Sequence, residues 1–299
     1  MKNKKNSFLF KKIGIVGNPR NFQGLKLYKI LFNWLNNQNY KVFIEEKIKK
    51  KLNLNSNIFV KDLITIGKIV DLIIIIGGNG SMLRIARTII NYQKKIIGIN
   101  QGNLGFLTDL SSKNFLHFLD QILQGNFFEE KRFVLEIKIN KLNKKNFLNF
   151  IAINEVILHS SKIANMIDFE VFINNKFAFS QRSDGLIIST PTGSTAYSLS
   201  AGGPIVIPNS DVIILTAMFP HTLSSRPIVI NSNSIINLKF KEKCINYQIM
   251  FDSQIVSSIE EGDEIFIKKS NKKLYFIHPY YYDYFNFLRM KLGWLKRYI

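Results

Sequence analysis

The stretch Leu72-Ile73-Ile74-Ile75-Ile76-Gly77-Gly78-Asn79-Gly80-Ser81 decides the fold of the first part of the chain. Together with the residues just before it, the apolar and largely β-branched segment runs from Ile69 to Ile76. This pattern is typical of a strand buried on both faces of a parallel sheet. After the glycines, apolar residues recur at helical spacing, namely Met82, Ile85, Ala86, Ile89 and Ile90. A strand that passes through a glycine turn into a helix predicts an α/β unit.

The same alternation of strand and helix runs through residues 1–125. Further strands are predicted at Lys12–Val16, Tyr40–Glu45 and Lys95–Ile99. Two further helices are indicated by apolar stripes, one through Leu27, Ile30, Leu31, Trp34 and Leu35 and one through Phe115, Leu116, Leu119, Ile122 and Leu123. This order predicts an open, parallel, Rossmann-like sheet with helices on both faces.

The pattern changes near Gly125, beyond which apolar residues recur at every second position. Alternation on both sides of Asn174-Asn175 predicts a hairpin. Other strands are predicted at Phe133–Ile139, Ile213–Phe219, Ile235–Phe240, Tyr247–Phe251 and Ile265–Lys268. We therefore expect a β-rich, β-sandwich-like second domain.

The chain ends in a segment with helical spacing through Tyr284, Phe285, Leu288 and Leu292. We expect this C-terminal helix to pack back onto one of the two domains. The predicted division is an α/β domain over 1–125, a β-rich domain over 126–276 and a helical segment over 277–299.

Composition narrows the classes of function. The 299 residues contain 41 Lys and Arg against 21 Asp and Glu, a formal net charge of +20. The basic residues are spread out, with no RNA-binding aromatic signature, so we expect attraction of small phosphorylated ligands and no nucleic acid partner. The lone Cys244 excludes an internal disulfide and favours a reducing compartment.

Metal-binding and membrane classes are also disfavoured. The four histidines are scattered without metal-ligand spacing, so no protein-held metal site is expected. The longest apolar run, Leu72 to Ile76, is far shorter than the ~20 residues of a membrane helix. We expect a soluble, cytoplasmic protein with no membrane partner.

The glycine turn Gly77–Gly80 can bring backbone N–H groups to a phosphate at a helix N-terminus. It is neither a Walker A loop nor a Gly-x-Gly-x-x-Gly fingerprint, and an ordinary tight turn explains it equally well. The cluster Gly98 to Thr108 follows the next strand, where ligands gather in open α/β sheets. Its Phe106 either stacks on a base or anchors the loop, and the residues alone favour the second.

Two polar clusters stand in the β-rich part. Asn154-Glu155 lies in the apolar stretch Phe150 to Leu158, either as an exposed strand end or in contact with a ligand, because burying a lone charge is unfavourable. The segment Ser180–Pro204 is rich in serine, threonine and glycine. Such residues cannot build a hydrophobic core, but they can line a polar pocket with short donors and acceptors.

Taken in order, these motifs resemble the NAD kinases from about Asp71 to Trp294. The matching motifs are Gly77-Gly78-x-Gly80, Asn103-Leu104-Gly105-Phe106, Asn154-Glu155, the loop Thr190 to Pro204 and Phe219-Pro220-His221-Thr222-Leu223. The glycine turn is shared with lipid kinases and phosphofructokinases, so the serine/threonine–glycine loop discriminates. A lipid kinase is the less favoured alternative, because it would be expected to expose an apolar acyl channel.

The resemblance implies two domains with the site between them. There ATP, or inorganic polyphosphate in some members, phosphorylates the 2′-hydroxyl of the adenosine ribose of NAD to give NADP and ADP. The resemblance also implies a divalent metal cation, Mg²⁺ or Mn²⁺, bound to the phosphates, and we expect a homo-oligomer because members of the family commonly are oligomers.

By matched position, the resemblance assigns phosphate binding to Gly77, Gly78 and Gly80. It assigns NAD binding to a larger set of residues: Asn79, Gly80, Asn154, Glu155, Asn165, Arg182, Asp184, Thr195, Ala196, Tyr197, Ser198, Leu199, Ser200 and Gln254. Phe106 and His221 are expected to line the same cleft.

Position 79 departs from the family pattern Gly-Gly-Asp-Gly, since Asn79 stands where the catalytic base is expected. A carboxylate accepts the proton of the attacking hydroxyl, whereas a neutral amide does not, and loss of a general base typically slows a reaction by ~10²–10⁴-fold. Three interpretations remain: a slow kinase, an NAD(P)-binding protein without activity, and conversion of Asn79 to Asp by deamidation, to which Asn-Gly sequences are prone.

Overall fold

The computed structural model describes residues 9–19, 22–52, 59–102, 105–142, 147–162, 165–240 and 247–294. The chain forms two compact units, Met1–Glu130 with Leu274–Ile299 and Lys131–Lys273. Cys244 and the motif residues Asn103 and Leu104 lie outside the described residues. Within the described residues, no helix is both long and apolar enough to span a membrane.

The first unit alternates strands and helices. Its elements are β1 (Lys12–Gly17), α1 (Phe22–Asn37), β2 (Lys41–Glu45), α2 (Glu46–Leu52), β3 (Phe59–Lys61), α3 (Leu63–Ile69), β4 (Leu72–Ile76), α4 (Asn79–Ile89), a 3₁₀ turn (Ile90–Tyr92), β5 (Lys95–Asn100), β6 (Leu110–Ser111) and α5 (Phe115–Leu123). The strands pair in parallel in the order β5-β4-β1-β2-β3, with β6 beside β5. The prediction of an open parallel α/β sheet is confirmed.

The central strand β4 explains why this sheet forms. All five of its residues are buried, as a strand covered by helices on both faces requires. Tyr28 of α1 is buried beside it and donates from its hydroxyl to the Ile76 carbonyl, 3.1 Å away. Burial raises the pKa of this hydroxyl far above its usual range, with the charge of Glu45 adding to the effect. The end of β4, from which the glycine turn departs, is therefore held from the side of α1.

The predicted strand over Ile69–Ile76 is shorter in the structure, because α3 occupies its first residue. The Asp62 side chain caps that helix by accepting from the Thr65 N–H at 2.9 Å. The strand then starts after Asp71, whose carboxylate accepts the backbone N–H groups of Lys11 and Lys12, each at 2.8 Å. A capping residue and a charged turn thus divide one apolar segment into two elements.

The second unit is rich in strands. Its elements are β7 (Phe127–Asn140), which starts within the first unit, β8 (Leu148–Ala152), β9 (Glu155–Ser160), β10 (Ile167–Ile173), β11 (Lys176–Ser183), β12 (Gly185–Ser189), a 3₁₀ turn (Thr192–Thr195), α6 (Tyr197–Ser200), β13 (Val212–Met218), β14 (Ile228–Asn231), β15 (Ile236–Lys239), β16 (Tyr247–Phe251), β17 (Ile255–Ile259) and β18 (Glu264–Pro279), which ends in the first unit. One sheet has the order β14-β13-β12-β9-β16-β17, and the other contains β11-β10-β15-β18 with β7 paired to β18 and β8.

Alternating residues of the two sheets bury one common core in the second unit, as the sequence pattern predicts for a sandwich. Phe169 of β10 and Phe251 of β16, which belong to different sheets, are among its largest buried side chains. The predicted hairpin joins β10 to β11 through Asn174 and Asn175, whose φ angles are 51° and 63°. Asparagine tolerates this left-handed conformation better than most residues.

The C-terminal helix α7 (Tyr284–Leu292) belongs to the first unit. The Asp283 side chain caps its start by accepting from the Phe285 N–H at 2.9 Å, and Gly293 ends it with a φ of 70°. Phe287 and Leu288 are buried. The predicted helix that packs back onto one of the domains is confirmed.

A buried ion pair in the second unit gives a test of what holds β7 in place. Lys141 Nζ lies 2.7 Å from Asp263 Oδ2, and 7% and 1% of the two side chains are exposed. Lys141→Met keeps the aliphatic stem but leaves a buried carboxylate without its cation, so we expect the free energy of unfolding to fall by about 3 kcal/mol. Urea denaturation measures the change.

Lys138→Met is the matched control, because Lys138 is 45% exposed and its Nζ lies 3.9 Å from Glu136 Oε1. We expect the control to lose less than about 1 kcal/mol. Equal losses in the two variants would contradict a special role for the buried pair.

Candidate functional site

The glycine turn lies between β4 and the first turn of α4. Gly78 has extended backbone angles, and a Cβ added there would meet no atom within 4 Å. Gly77 donates its backbone N–H to the Ile99 carbonyl at 2.9 Å, which fastens the turn to β5. The first N–H groups of a helix lack partners within the helix and carry the positive end of its dipole, so this open turn suits a phosphate.

Asn79 is the first residue of α4 and is exposed. Its Oδ1 accepts the backbone N–H of Leu107 at 3.3 Å. The same oxygen packs against Gly105, where any Cβ would lie far inside contact distance. The side chain of position 79 is therefore held by the turn that follows β5, with its amide as a neutral group.

That second turn, Gly105 to Thr108, is fixed by its own polar groups. Thr108 Oγ1 accepts from Asn100 Nδ2 at 2.8 Å and from the Gly105 N–H at 3.2 Å. Phe106 within it is half-buried. The structure thus brings together Asn79 and the Gly98–Thr108 cluster, while Asn103 and Leu104 lie outside the described residues.

In the second unit, the hydroxyl-rich loop wraps around the start of β9. Thr190 Oγ1 donates to the Ile153 carbonyl at 2.7 Å and accepts the Gly193 N–H at 3.1 Å. The Thr190 N–H donates to the Asn154 carbonyl at 2.8 Å, and Gly193 packs so closely on that carbonyl that no Cβ fits. Two segments that were predicted separately, Asn154-Glu155 and the hydroxyl-rich loop, are therefore in direct contact.

Asn154 and Glu155 are 9% and 2% exposed. Asn154 Oδ1 and Glu155 Oε2 are buried without a hydrogen-bond partner in the part of the chain that the structure describes. Burial, followed by the negative charge of Asp252, raises the pKa of the Glu155 carboxyl to about 8, against the lowering effect of a hydrogen bond from the Tyr197 backbone N–H. Since buried polar groups rarely stay unpaired, both atoms suit a polar ligand.

Asp252 fixes the backbone of the corner formed by Ile153, Asn154 and Glu155 at the start of β9. Its Oδ1 accepts the backbone N–H groups of Ile153, Asn154 and Glu155 at 2.9, 2.7 and 3.3 Å. Asp252 itself has a φ of 51° in the turn between β16 and β17. Asp252 was not predicted as a site residue, although an aspartate directly after a strand is a recognisable turn signal.

A cavity of ≈ 380 Å³ opens beside this corner. Three predicted residues line it: Asn165, Asp184 and Tyr197. Its other walls are residues that the sequence analysis did not select: Ile157, His159, Ser160, Lys162, Met218, Met250 and Ser253. Strand register brings these together, since Ile157 pairs with Met250 and His159 with Gly185.

The remaining predicted residues have varied positions. Ser198 is buried, with its Oγ 3.4 Å from Thr216 Oγ1, whereas Ser200 is exposed and Thr195, Ala196 and Leu199 are half-buried. Arg182 is exposed on β11, with its Nε 3.8 Å from Asp168 Oδ2, and its carbonyl accepts the His221 N–H at 3.0 Å. Gln254 is exposed in the turn after Asp252. Neither Arg182 nor Gln254 lines the cavity.

A metal held by the protein alone finds no support in these units. Among the described residues, no group of three or more His, Cys, Asp or Glu side chains is arranged to hold a metal ion. A divalent cation that accompanies phosphates needs few protein ligands, because magnesium keeps several waters and uses phosphate oxygens.

The open glycine turn at a helix N-terminus suits a phosphate, and the second unit holds buried acceptors that lack partners among the described residues, so the class indicated is a nucleotide-binding protein. The family models of the ATP-NAD kinase N-terminal and C-terminal domains match residues 13–127 and 153–279. The NAD kinase of Buchnera aphidicola subsp. Baizongia pistaciae is 54% identical over 292 residues, 97% of this chain and 99% of that one. The NAD kinase of Yersinia pestis is 50% identical over 292 residues, 98% of this chain and 99% of that one. The chain belongs to the NAD kinase family.

Two solved structures share the fold. Yeast NADH kinase complexed with NADH has a TM-score of 0.89 and 22% identity, covering 97% of this chain and 89% of that chain. An NAD kinase from Archaeoglobus fulgidus in complex with ATP has a TM-score of 0.72 and 23% identity, covering 95% of this chain and 100% of that chain. Together with the family models, they confirm the predicted resemblance and fold.

The raised pKa of Glu155 gives a prediction for the pH dependence of stability. The native carboxyl titrates at about 8 and the unperturbed one at 4.5, so the native state holds a proton that the unfolded state releases between these values. Its contribution to stability is therefore present below pH 4.5 and is lost as the pH rises to about 8. The loss reaches up to about 1.4 kcal/mol per pH unit.

Glu155→Gln replaces the neutral carboxyl by a neutral amide, so this share of the pH dependence should disappear. Urea denaturation of wild type and variant at about pH 5.5 and about pH 7.5 measures it, and the variant should gain on the wild type with rising pH. Glu261→Gln, which changes an exposed carboxylate, should follow the wild-type curve. Parallel curves for all three proteins would show that Glu155 titrates normally.

Proposed function

We propose that this chain transfers the γ-phosphoryl group of ATP to the 2′-hydroxyl of the adenosine ribose of NAD, giving NADP and ADP. The observation that carries the proposal is the corner of the second unit where Asn154 Oδ1 and Glu155 Oε2 stay buried and unpaired among the described residues. A dinucleotide rich in hydroxyl and amino groups supplies the partners that these atoms lack.

The chemistry of each side chain suggests its role toward NAD. Asp184, on the cavity wall, can accept hydrogen bonds from ribose hydroxyls. Tyr197, 43% exposed at the same cavity, offers a ring for a base to pack on. At neutral pH, Glu155 keeps its proton and so offers a donor as well as an acceptor. A neutral carboxyl at position 155 can bind polar edges of a nucleotide without repelling its phosphates.

The glycine turn takes the phosphoryl donor in this proposal. Gly77, Gly78 and Gly80 present backbone near the N-terminus of α4, where the helix dipole favours negative charge. A divalent cation, when bound to the phosphates of ATP, neutralises part of the charge that develops on them. The many surface lysines of a chain with a net charge of +20 favour the approach of both anionic substrates.

Asn79 sets the rate in this proposal. Its Oδ1 is engaged by the Leu107 N–H, and an amide has no basic site for the proton of the ribose hydroxyl. That proton must leave to water or to a phosphate oxygen. Phosphoryl transfer depends chiefly on positioning and electrostatic stabilisation, so a slow kinase remains active without the base.

Asn79→Asp is the experiment that tests the function. The change swaps an amide for a carboxylate of the same shape and restores a proton acceptor, so we expect kcat for NADP formation to rise by about 10²-fold or more. The assay contains NAD, ATP and magnesium, and a coupled dehydrogenase detects NADP. Peptide masses of the wild type, without a +1 Da shift at Asn79, verify that it has not already deamidated.

Ser81→Asp is the matched control, because it places the same charge in the same helical turn but away from position 79. It should give no increase in kcat. Equal rates for wild type and Asn79→Asp would remove position 79 as the proton acceptor. If neither protein forms NADP while calorimetry shows that NAD binds, the chain is an NAD-binding protein on a kinase scaffold.

A homo-oligomer in the cytoplasm completes the proposal. Several large apolar side chains of the second unit are exposed, among them Phe177, Phe219, Leu223 and Val229 at 58%, 76%, 96% and 49%. Exposed apolar groups of this size are commonly covered by another chain. Light scattering should give a mass above the 34.6 kDa of one chain, and Leu223→Asp should lower it. A monomeric wild type would contradict this part.

A further inference from the structure

A buried ionic cluster lies in the first unit, outside the residues assigned to either substrate. His278, near the end of β18, is 1% exposed. Its Nδ1 lies 2.6 Å from Asp109 Oδ2 and its Nε2 lies 2.9 Å from Glu130 Oε2. An ionised carboxylate only accepts, so with both carboxylates ionised the ring carries two protons and donates two hydrogen bonds. Such charge-assisted bonds are about twice as strong as neutral ones.

Aromatic rings hold the imidazole in this orientation. The Tyr282 ring stacks on it with centroids 4.1 Å apart and planes at 26°. The Phe128 ring stacks as well, with centroids 5.0 Å apart and planes at 29°. Because two stacks and two hydrogen bonds would have to open together, the ring is a rigid point of attachment for Asp109.

Asp109 directly follows the turn Gly105–Thr108. The next residue, Leu110, starts β6 and pairs with Ile99 of β5. The preceding residue, Thr108, accepts hydrogen bonds from the Asn100 side chain and the Gly105 N–H. The position of Asp109 therefore determines where the turn sits on β5, and His278 holds the Asp109 side chain.

The Gly105–Thr108 turn also contacts Asn79, so the placement of the turn affects the Asn79 side chain. The Leu107 N–H donates to Asn79 Oδ1, and Gly105 packs on the same amide. A displacement of the turn would release the Asn79 side chain to other rotamers at the start of α4.

We propose that His278 is a positioning residue for position 79, acting through Asp109 and the Gly105–Thr108 turn. The inference rests on the proposed function, since it is phosphoryl transfer that makes the orientation of position 79 matter. His278 is buried and its two ring nitrogens are bound to carboxylates, so its contribution is to geometry.

Two substitutions distinguish the hydrogen bond of Nδ1 to Asp109 from that of Nε2 to Glu130. In His278→Asn the amide nitrogen comes closest to the place of Nδ1 and can still donate to Asp109. In His278→Gln it comes closest to the place of Nε2 and can donate to Glu130 only. Both variants lose the ring and its charge, so a merely structural role predicts similar losses in both.

In the Asn79→Asp background, where position 79 carries a proton acceptor, we expect His278→Gln to lower kcat by about tenfold or more with an unchanged KM for NAD, because a misplaced reacting group lowers the rate. His278→Asn in the same background should stay within about threefold of the Asn79→Asp protein, since its donor to the turn remains. Amide hydrogen exchange of residues 105–110 should be faster than wild type in His278→Gln and close to it in His278→Asn.

The exchange measurement needs no activity, so it separates this inference from the proposed function. If wild type and Asn79→Asp make no NADP, the function fails and exchange alone decides on His278. Should either His278 variant fail to fold, Asp109→Asn, which keeps an acceptor for Nδ1, is compared with Asp109→Ala, which does not. Equal exchange at 105–110 within the pair compared, or equal kcat where NADP is formed, overturns the inference.

Discussion

Close approach between backbone and polar groups, at places where glycine removes the Cβ, is the constraint on which both candidate sites depend. Gly193 lets the hydroxyl-rich loop press on the Asn154 carbonyl, and Gly105 lets the turn after β5 press on the Asn79 amide. At either position a methyl group would overlap a neighbour that belongs to the site itself. The polar side chains can then be short and still reach their partners, which is why serine, threonine and asparagine suffice.

The order of elements was readable from the sequence because local signals and burial agree there. Five consecutive buried residues in β4, followed by glycines and a helical stripe, leave one interpretation. The short α3 was missed because it is only seven residues long and its last residue, Ile69, continues into the apolar segment. Its boundary depends on the Asp62 cap and on the contact of Asp71 with Lys11 and Lys12, which chain folding alone brings together.

The sequence indicated polar clusters of the candidate sites only where their residues are neighbours in the chain. Asn154-Glu155 and the Thr190 loop were recognised separately, and only the structure shows that they are in direct contact. The cavity walls were not readable, because His159 and Met250 meet there through the register of β9 with β12 and β16. Register is set by a core shared between distant strands, and one sequence does not reveal that pairing.

A side chain without charge stands in each of the two candidate sites. Asn79 at the start of α4 is neutral, and Glu155 keeps its proton near neutral pH because burial and Asp252 disfavour its anion. An aspartate at position 79 would accept the ribose proton but would also face the negative phosphates of the donor, with the helix dipole offsetting part of that repulsion. The asparagine removes the repulsion together with the base. Under the proposed function, the effect of Asn79 should therefore fall on the chemical step and not on substrate binding.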